Sequence, residues 1–180
     1  SLFRDILSCV GRKASSGKSK GGIKVHTQIN LQEQVPKLVW FSSAITHDKK
    51  FLKKLKLEKG KIAVFDKGYN DYKTFDEFTQ NNIYFVTRLK SNATYESVVE
   101  NDIPSYIDDG VLKDEIIKVD VKDNGKYFKT TELRRIAYWD DEHKRCFEFI
   151  TNISGINAGH IALIYKKRWQ IELLFKQLKQ

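Results

Sequence analysis

A run of four apolar residues, Ile62–Phe65, ends at Asp66, turns at Gly68, enters a helical pattern from about Asp71, and is followed by a second strand-like segment, IYFVTRLK. The first run is short and β-rich, and the following segment carries helix-start signals, so the order reads strand, turn, helix, strand. That order requires a crossover, and crossovers join parallel strands of one sheet. In such sheets the functional groups gather at the carboxyl ends of the strands, and Asp66 stands at one. An aspartate at a strand-to-helix turn is more often a turn or capping residue than a catalyst, so its position alone does not assign it a reaction.

The last sixteen residues, YKKRWQIELLFKQLKQ, carry a second constraint. Tyr165, Arg168, Glu172 and Lys179 fall at offsets of 0, 3, 7 and 14. At roughly 100° per helical residue they are confined to an arc of roughly 60°. Leu163, Ile164, Ile171, Leu174, Phe175 and Leu178 form an apolar stripe beside that arc. The helix can therefore pack on a core while turning one carboxylate and three phosphate-suited groups to a cleft. Trp169 and Leu173 fall off the stripe, which calls for cover by DNA, by the β-rich stretch between Lys90 and about Asn157 or by a second subunit. The helix is expected from about Asn157, with Gly159 and His160 in its first turn, too far from Glu172 for His160 to share its chemistry.

The remaining segments read as follows. Residues 1 to 10 are short and amphipathic, and GRKASSGKSKGG after them is an exposed basic loop whose Lys13, Lys18 and Lys20 could touch a DNA backbone. Gly17, Lys18 and Ser19 mimic part of a phosphate-binding loop, but Arg12 stands where that motif needs its first glycine, which rejects a nucleotide site. GIKVHTQINL and VPKLVWFSSA form a hairpin-like pair, with Lys24, His26, Gln28 and Asn30 on the wetter face of the first strand. THDKKFLKKLKL reads as a short basic helix capped by Thr46, with Asp48 in its first turn. From Lys90 to about Asn157 three strands of a meander follow, EIIKVDVKD, KYFKTTELRRIAYWD and KRCFEFITNI, broken at Asn124 and Gly125 and at Asp140, Asp141 and Glu142. Asp108, Asp109, Asp114, Glu115, Asp120 and Asp123 in this stretch read as solvated carboxylates. Arg134, Arg135 and Trp139 are its candidates for meeting a phosphate or a splayed base.

Composition limits the partners. Thirty-two Lys and Arg against 23 Asp and Glu give a net charge of +9, which favours a polyanion through counterion release. Cys9 and Cys146 lie far apart and outside any CxxC pair, the pattern of neither a zinc site nor a disulfide framework. No apolar run approaches the roughly 18 residues of a membrane span. A start without Met and a stop within a helical pattern read as a piece of a longer protein.

The pattern YxxRxxxExxxxxxK, made here by Tyr165, Arg168, Glu172 and Lys179, resembles the signature of the DDE transposases of bacterial insertion sequences, in the subgroup marked by Tyr, Arg, Glu and Lys. DKGYNDY, beginning at Asp66, resembles the segment bearing that family's second acidic residue, and the resemblance runs over nearly the whole chain. It implies an α/β fold: a ribonuclease-H-like mixed sheet with flanking helices and a β-rich insertion before the Glu-bearing helix. Residues 1–90 would be the first part of the core with its first strand absent, 91–156 the insertion, and 157–180 the catalytic helix. It implies phosphodiester cleavage and strand transfer on double-stranded DNA, at transposon ends and target, by a bacterial cytoplasmic and nucleoid-associated protein acting as a homodimer on paired ends. Asp66 and Glu172 would be catalytic and hold Mg²⁺ or Mn²⁺, while Tyr165, Arg168 and Lys179 would bind DNA. Two ions about 3.5 to 4 Å apart are expected in the intact enzyme, and carboxylates without His or Cys suit them. The family's first acid is expected upstream of Ser1, since the surroundings of Asp5 do not resemble that motif. The fragment would then be inactive alone. A metal-dependent nuclease of the same fold and a catalytically incomplete DNA-binding remnant are the alternatives.

Overall fold

The computed structural model of the protein describes residues 3–10, 23–30, 35–43, 45–103 and 110–177, with residues 3–10, 23, 24, 35 and 170–177 described by their backbone alone. The loop carrying Lys13, Lys18 and Lys20 lies outside the described residues, as do Asp108, Asp109 and Lys179.

Nine strands, β1 (Phe3–Val10), β2 (Ile23–Asn30), β3 (Val35–Ser43), β4 (Ile62–Phe65), β5 (Tyr84–Arg88), β6 (Glu96–Glu100), β7 (Val111–Asp123), β8 (Lys126–Asp140) and β9 (Arg145–Thr151), form one mixed sheet. Their order is β3-β2-β1-β4-β5-β9-β8-β7-β6. Strands β1, β4 and β5 are parallel, as the crossover reading of residues 62–90 requires, and every other pairing is antiparallel. The position between β2 and β4 is taken by Phe3–Val10, read from sequence only as a short amphipathic stretch, so the strand expected to be absent from this part of the sheet is supplied by these residues, whose backbone pairs with both neighbours. The meander does not stand apart, because β9 hydrogen-bonds to β5 and carries the sheet on to β6.

Helices cover both faces. Ile62 and Val64 of β4 and Val86 of β5 turn to one core, where Ile161, Ala162, Ile164 and Tyr165 of α3 (Ala158–Gln177) pack with Phe147 and Phe149. Ala63, Phe65 and Phe85 turn to the other, an aromatic-rich core with Phe51 and Leu52 of α1 (Lys49–Leu52) and Phe75 and Phe78 of α2 (Tyr72–Gln80). This two-sided burial explains why β4 reads as an unbroken apolar run.

The structure departs from expectation at three places. The basic helix shrinks to the four residues of α1, starting after Asp48 rather than Thr46, because Leu55 and Leu57 leave the helical path to pack in part against the aromatic core. On the face of β2 expected to be wetter, His26, Gln28 and Asn30 are buried. His26 packs on Trp40 and Phe51 with ring centroids 5.1 Å from each, those two rings being stacked on one another at 5.8 Å, and it is bonded to the Tyr69 hydroxyl at 3.1 Å and Ser42 Oγ at 2.9 Å. Third, Asp114 and Glu115 on β7 are not solvated but buried in ion pairs across the strand with Arg134 and Arg135 on β8. The Arg134 guanidinium donates two bonds to Asp114, Nε to Oδ1 at 2.8 Å and Nη2 to Oδ2 at 2.6 Å, and its Nη1 donates to the carbonyl of Ile156 at 2.5 Å. These two arginines are consumed by the fold, which removes them as phosphate contacts. Trp139 remains exposed.

The β7–β8 turn falls where sequence placed it. Asn124 and Gly125 adopt φ of 49° and 81°, the positive pair that a two-residue hairpin turn demands and that Asn-Gly supplies at little strain. Among the described residues no helix is long and apolar enough to cross a membrane.

Candidate active site

Asp66 is the first residue beyond β4, in extended conformation, and leads into a 3₁₀ turn, Lys67–Tyr69. Its side chain makes no capping hydrogen bond, so the structural role that best competes with a functional one leaves the carboxylate unused. The turn is tied down by Asn70, whose Nδ2 donates to the Arg88 carbonyl at 2.8 Å and whose Oδ1 accepts from Thr87 Oγ1 at 3.1 Å. Tyr69, buried edge-on against Phe65, anchors it from inside. The carboxylate is thus held at a fixed place on the carboxyl edge of the parallel strands, with its side chain still 35% exposed.

Two guanidinium groups meet it. Arg88, at the matching end of β5, places Nη2 3.3 Å from Oδ2 and 3.5 Å from Oδ1, and Arg168 of α3 places Nη2 3.5 Å from Oδ2. All three distances are long for charge-assisted bonds, so neither arginine saturates the carboxylate. Both cations lean on the Tyr165 ring, with guanidinium carbons 5.8 Å (Arg88) and 5.2 Å (Arg168) from its centroid. Arg88 also lies 5.7 Å from the ring of Phe147.

The residues singled out from sequence separate here into three groups. Asp66 and Arg168 are brought together across 102 positions of chain. Tyr165 lies wholly inside the core against Phe149, where burial pushes its phenol above the ordinary range, and as the molecule stands its hydroxyl is not placed to touch a strand. Arg168 is 3% exposed and faces Asp66, which makes it a partner of the carboxylate rather than an open grip on DNA. Glu172 is described by its backbone alone, one helical turn beyond Arg168 in α3, and Lys179 lies outside the described residues. Asn157 Oδ1 accepts from the Gly159 backbone N–H at 2.7 Å, so α3 starts where its sequence placed it.

Sequence reasoning missed Arg88 and Asn70. The signal was available: Arg88 ends β5 as Asp66 follows β4, and neighbouring parallel strands bring their carboxyl ends together. It also missed the lock between the β8–β9 turn and α3. Asp140, fully buried, takes Lys166 Nζ at 3.1 Å and His143 Nδ1 at 2.8 Å. Burial pushes its carboxyl up, but Lys166 and His143 outweigh that and hold it below the usual carboxylate range. Trp169 packs on His143 with centroids 4.9 Å apart and on Phe147 at 5.4 Å, so its cover comes from the β8–β9 segment.

The donor chemistry decides which group could take a metal. Asp140, Glu142 and His143 bring ligand atoms within 4.8 Å of one another, but the Lys166 ammonium already neutralises Asp140. Asp66 is different: a hard oxygen donor, partly open to solvent and loosely paired, fits Mg²⁺ or Mn²⁺.

Comparison with known proteins fits this arrangement. Residues 8–180 match the family model of the transposase DDE domain. The inferred transposase y4zB of Sinorhizobium fredii is 31% identical over 95% of the chain, and the inferred transposase for insertion sequence element IS4SA of Synechocystis is 29% identical over 87%. The transposase for insertion sequence element IS231E of Bacillus thuringiensis is 32% identical over 68%. The chain spans 49%, 43% and 35% of these three relatives, half of their length or less. An α/β sheet with an acid fixed at the edge of its parallel strands is the setting of a DDE-type domain, and the chain belongs to the transposase DDE domain family.

Proposed function

We propose that the full-length protein carries out metal-dependent DNA cleavage and strand transfer in the transposition of a bacterial insertion sequence, with Asp66 and Glu172 as two of its metal-holding carboxylates. The observation that carries this is the 3.5 Å approach of Arg168 to Asp66. Residues four apart on a helix share a face, so Glu172 falls one turn on from Arg168, on the helix face from which Arg168 reaches Asp66. Residues 1–90 and 157–180 are read as a ribonuclease-H-like core and 91–156 as its β-rich insertion. The order β3-β2-β1-β4-β5, with an antiparallel triplet followed by two parallel strands, supports this division.

Divalent ions, when bound, would neutralise the phosphate, ready the attacking oxygen and help the leaving one. The chain's own contribution is placement. Asp66 offers oxygens from a turn fixed by Asn70, while Arg88 and Arg168 set the carboxylate's direction from two sides. The β8–β9 lock on Lys166 and Trp169 seats the first part of α3, the helix that carries Glu172. A third carboxylate is assigned to the part of the full-length protein outside these 180 residues. Action in the bacterial cytoplasm as a homodimer on paired DNA ends is part of the same reading.

The test is cleavage and strand transfer on element-end DNA by the full-length protein. Asp66→Asn and Glu172→Gln each abolish both steps in Mg²⁺ with the fold retained by circular dichroism. Cleavage without transfer by the unaltered protein identifies a nuclease, and undiminished cleavage by Asp66→Asn removes the proposal.

A further inference from the structure

On the α1–α2 side of the sheet, away from α3, lies a cleft of about 1070 Å³. Its walls come from five places: β3 at Trp40, α1 and the residues after it, the start of α2, the segment following β5, and the β7–β8 turn. Seven lysines and three aspartates line it. Two of the aspartates are engaged, Asp123 by Lys73 at 2.9 Å and Asp71 by the Thr74 hydroxyl at 2.8 Å. Lys49, Lys50, Lys53, Lys54, Lys90 and Lys122 are exposed, and no ion pair joins them to an acid among the described residues. Trp40 stands in the same wall with the Lys54 ammonium 5.4 Å from its ring.

Lysines scattered on a convex surface are ordinarily just solvated. Here they converge on a concavity with low-dielectric walls, an arrangement that focuses positive potential. The cleft also begins at the functional edge. Asn70, which pins the turn carrying Asp66, and Asp71 both belong to its wall. A polyanion lying among the lysines would therefore continue towards the carboxylate.

We propose that this lysine cleft is a second DNA surface, distinct from the α3 face, which holds the phosphate backbone of the duplex flanking the site of cleavage. The inference rests on the reading of Asp66 as the reaction edge. It assigns the contact to phosphates, so it carries affinity and salt dependence but no choice of base.

The experiment compares two variants of the full-length protein by fluorescence anisotropy with a labelled duplex across 50 to 200 mM salt. One replaces Lys49, Lys50, Lys53 and Lys54 with Gln, and the other removes equal charge outside the cleft at Lys56, Lys59, Lys126 and Lys144. The cleft variant is expected to lose at least tenfold in affinity at about 100 mM salt. Its salt slope should flatten by about 2 to 4, since each phosphate contact contributes about 0.9. The control variant should stay within about threefold of the unaltered protein. Equal behaviour of the two variants, or an unchanged slope in a cleft variant folded by circular dichroism, overturns the proposal. Its failure is separable from that of the functional reading: Asp66→Asn judges cleavage whatever the lysines do, and the slope judges the cleft whatever cleavage does.

Discussion

Arg168 and Asp66, 102 residues apart, meet at 3.5 Å and join the last helix to the carboxyl end of β4. Because Arg168 is almost wholly buried and faces that carboxylate, its substitution is expected to act on DNA cleavage through Asp66 rather than on DNA binding. Arg168→Lys keeps the charge but loses the planar guanidinium whose Nη2 meets Asp66 and which lies over Tyr165. Substitution of such supporting groups typically costs about 10 to 100-fold in activity. The expected result is a cleavage rate reduced by that factor with duplex affinity within about twofold. An affinity loss matching the rate loss would instead make Arg168 a DNA contact.

Arg134 and Asp114 give a prediction about stability. Both side chains are less than 10% exposed, and Arg134 also holds the carbonyls of Ile153, Ser154 and Ile156, on the segment that leads into α3. Removing one member of a buried pair leaves an uncompensated charge, so Arg134→Ala should destabilise by about 3 to 5 kcal/mol in urea unfolding. Replacing both, Arg134→Met with Asp114→Leu, should recover most of that loss, because desolvation of the pair offsets much of its attraction.

The Asp140 lock makes stability depend on pH. Its carboxyl is held below the ordinary 3.8 by Lys166 and His143 despite burial. A group depressed in the folded state stabilises above its unfolded value and loses that contribution as pH falls through its folded value. Asp140→Asn is therefore expected to cost about 2 kcal/mol at pH 7, the scale of a hydrogen bond to a charged group, since Lys166 is partly exposed. Its stability curve should also be flatter than that of the unaltered protein below about pH 4. Parallel curves for the two proteins would remove Asp140 as the source.

How far the chain can be read without its structure depends on whether the deciding force is local. The crossover from Ile62 to Arg88 and the Asn124-Gly125 turn are legible because periodicity and backbone preference decide them. The burial of His26, Asp114 and Glu115 is not legible, because it depends on partners that arrive from 16 to 43 positions away. Asp66 and Arg88 could each be found from a strand end and Arg168 from its helix face, while the meeting of the three could not. Their role exists only once β5 and α3 are laid beside β4. The spacing of Tyr165, Arg168 and Glu172 marks a helix face, but it does not say which member of that face is inward. Tyr165 is inward.

That inward placement yields the sharpest distinction between a core tyrosine and a phosphate contact. The Tyr165 hydroxyl is buried and makes no hydrogen bond of good geometry among the described residues, with only a weak approach to the Arg168 guanidinium, and a poorly satisfied buried group costs about 1 to 3 kcal/mol relative to a paired one. Deleting only the oxygen, Tyr165→Phe, keeps the ring that supports Arg88 and Arg168 and removes the unsatisfied group. The variant should be as stable as the unaltered protein or more so, by up to about 1 kcal/mol, which corresponds to a Tm rise of about 2 to 4 °C for a domain of this size. Duplex affinity and its salt slope should not change. A fall in affinity of tenfold, with stability unaltered, would mean that the helix turns on DNA binding and brings the hydroxyl to the phosphates.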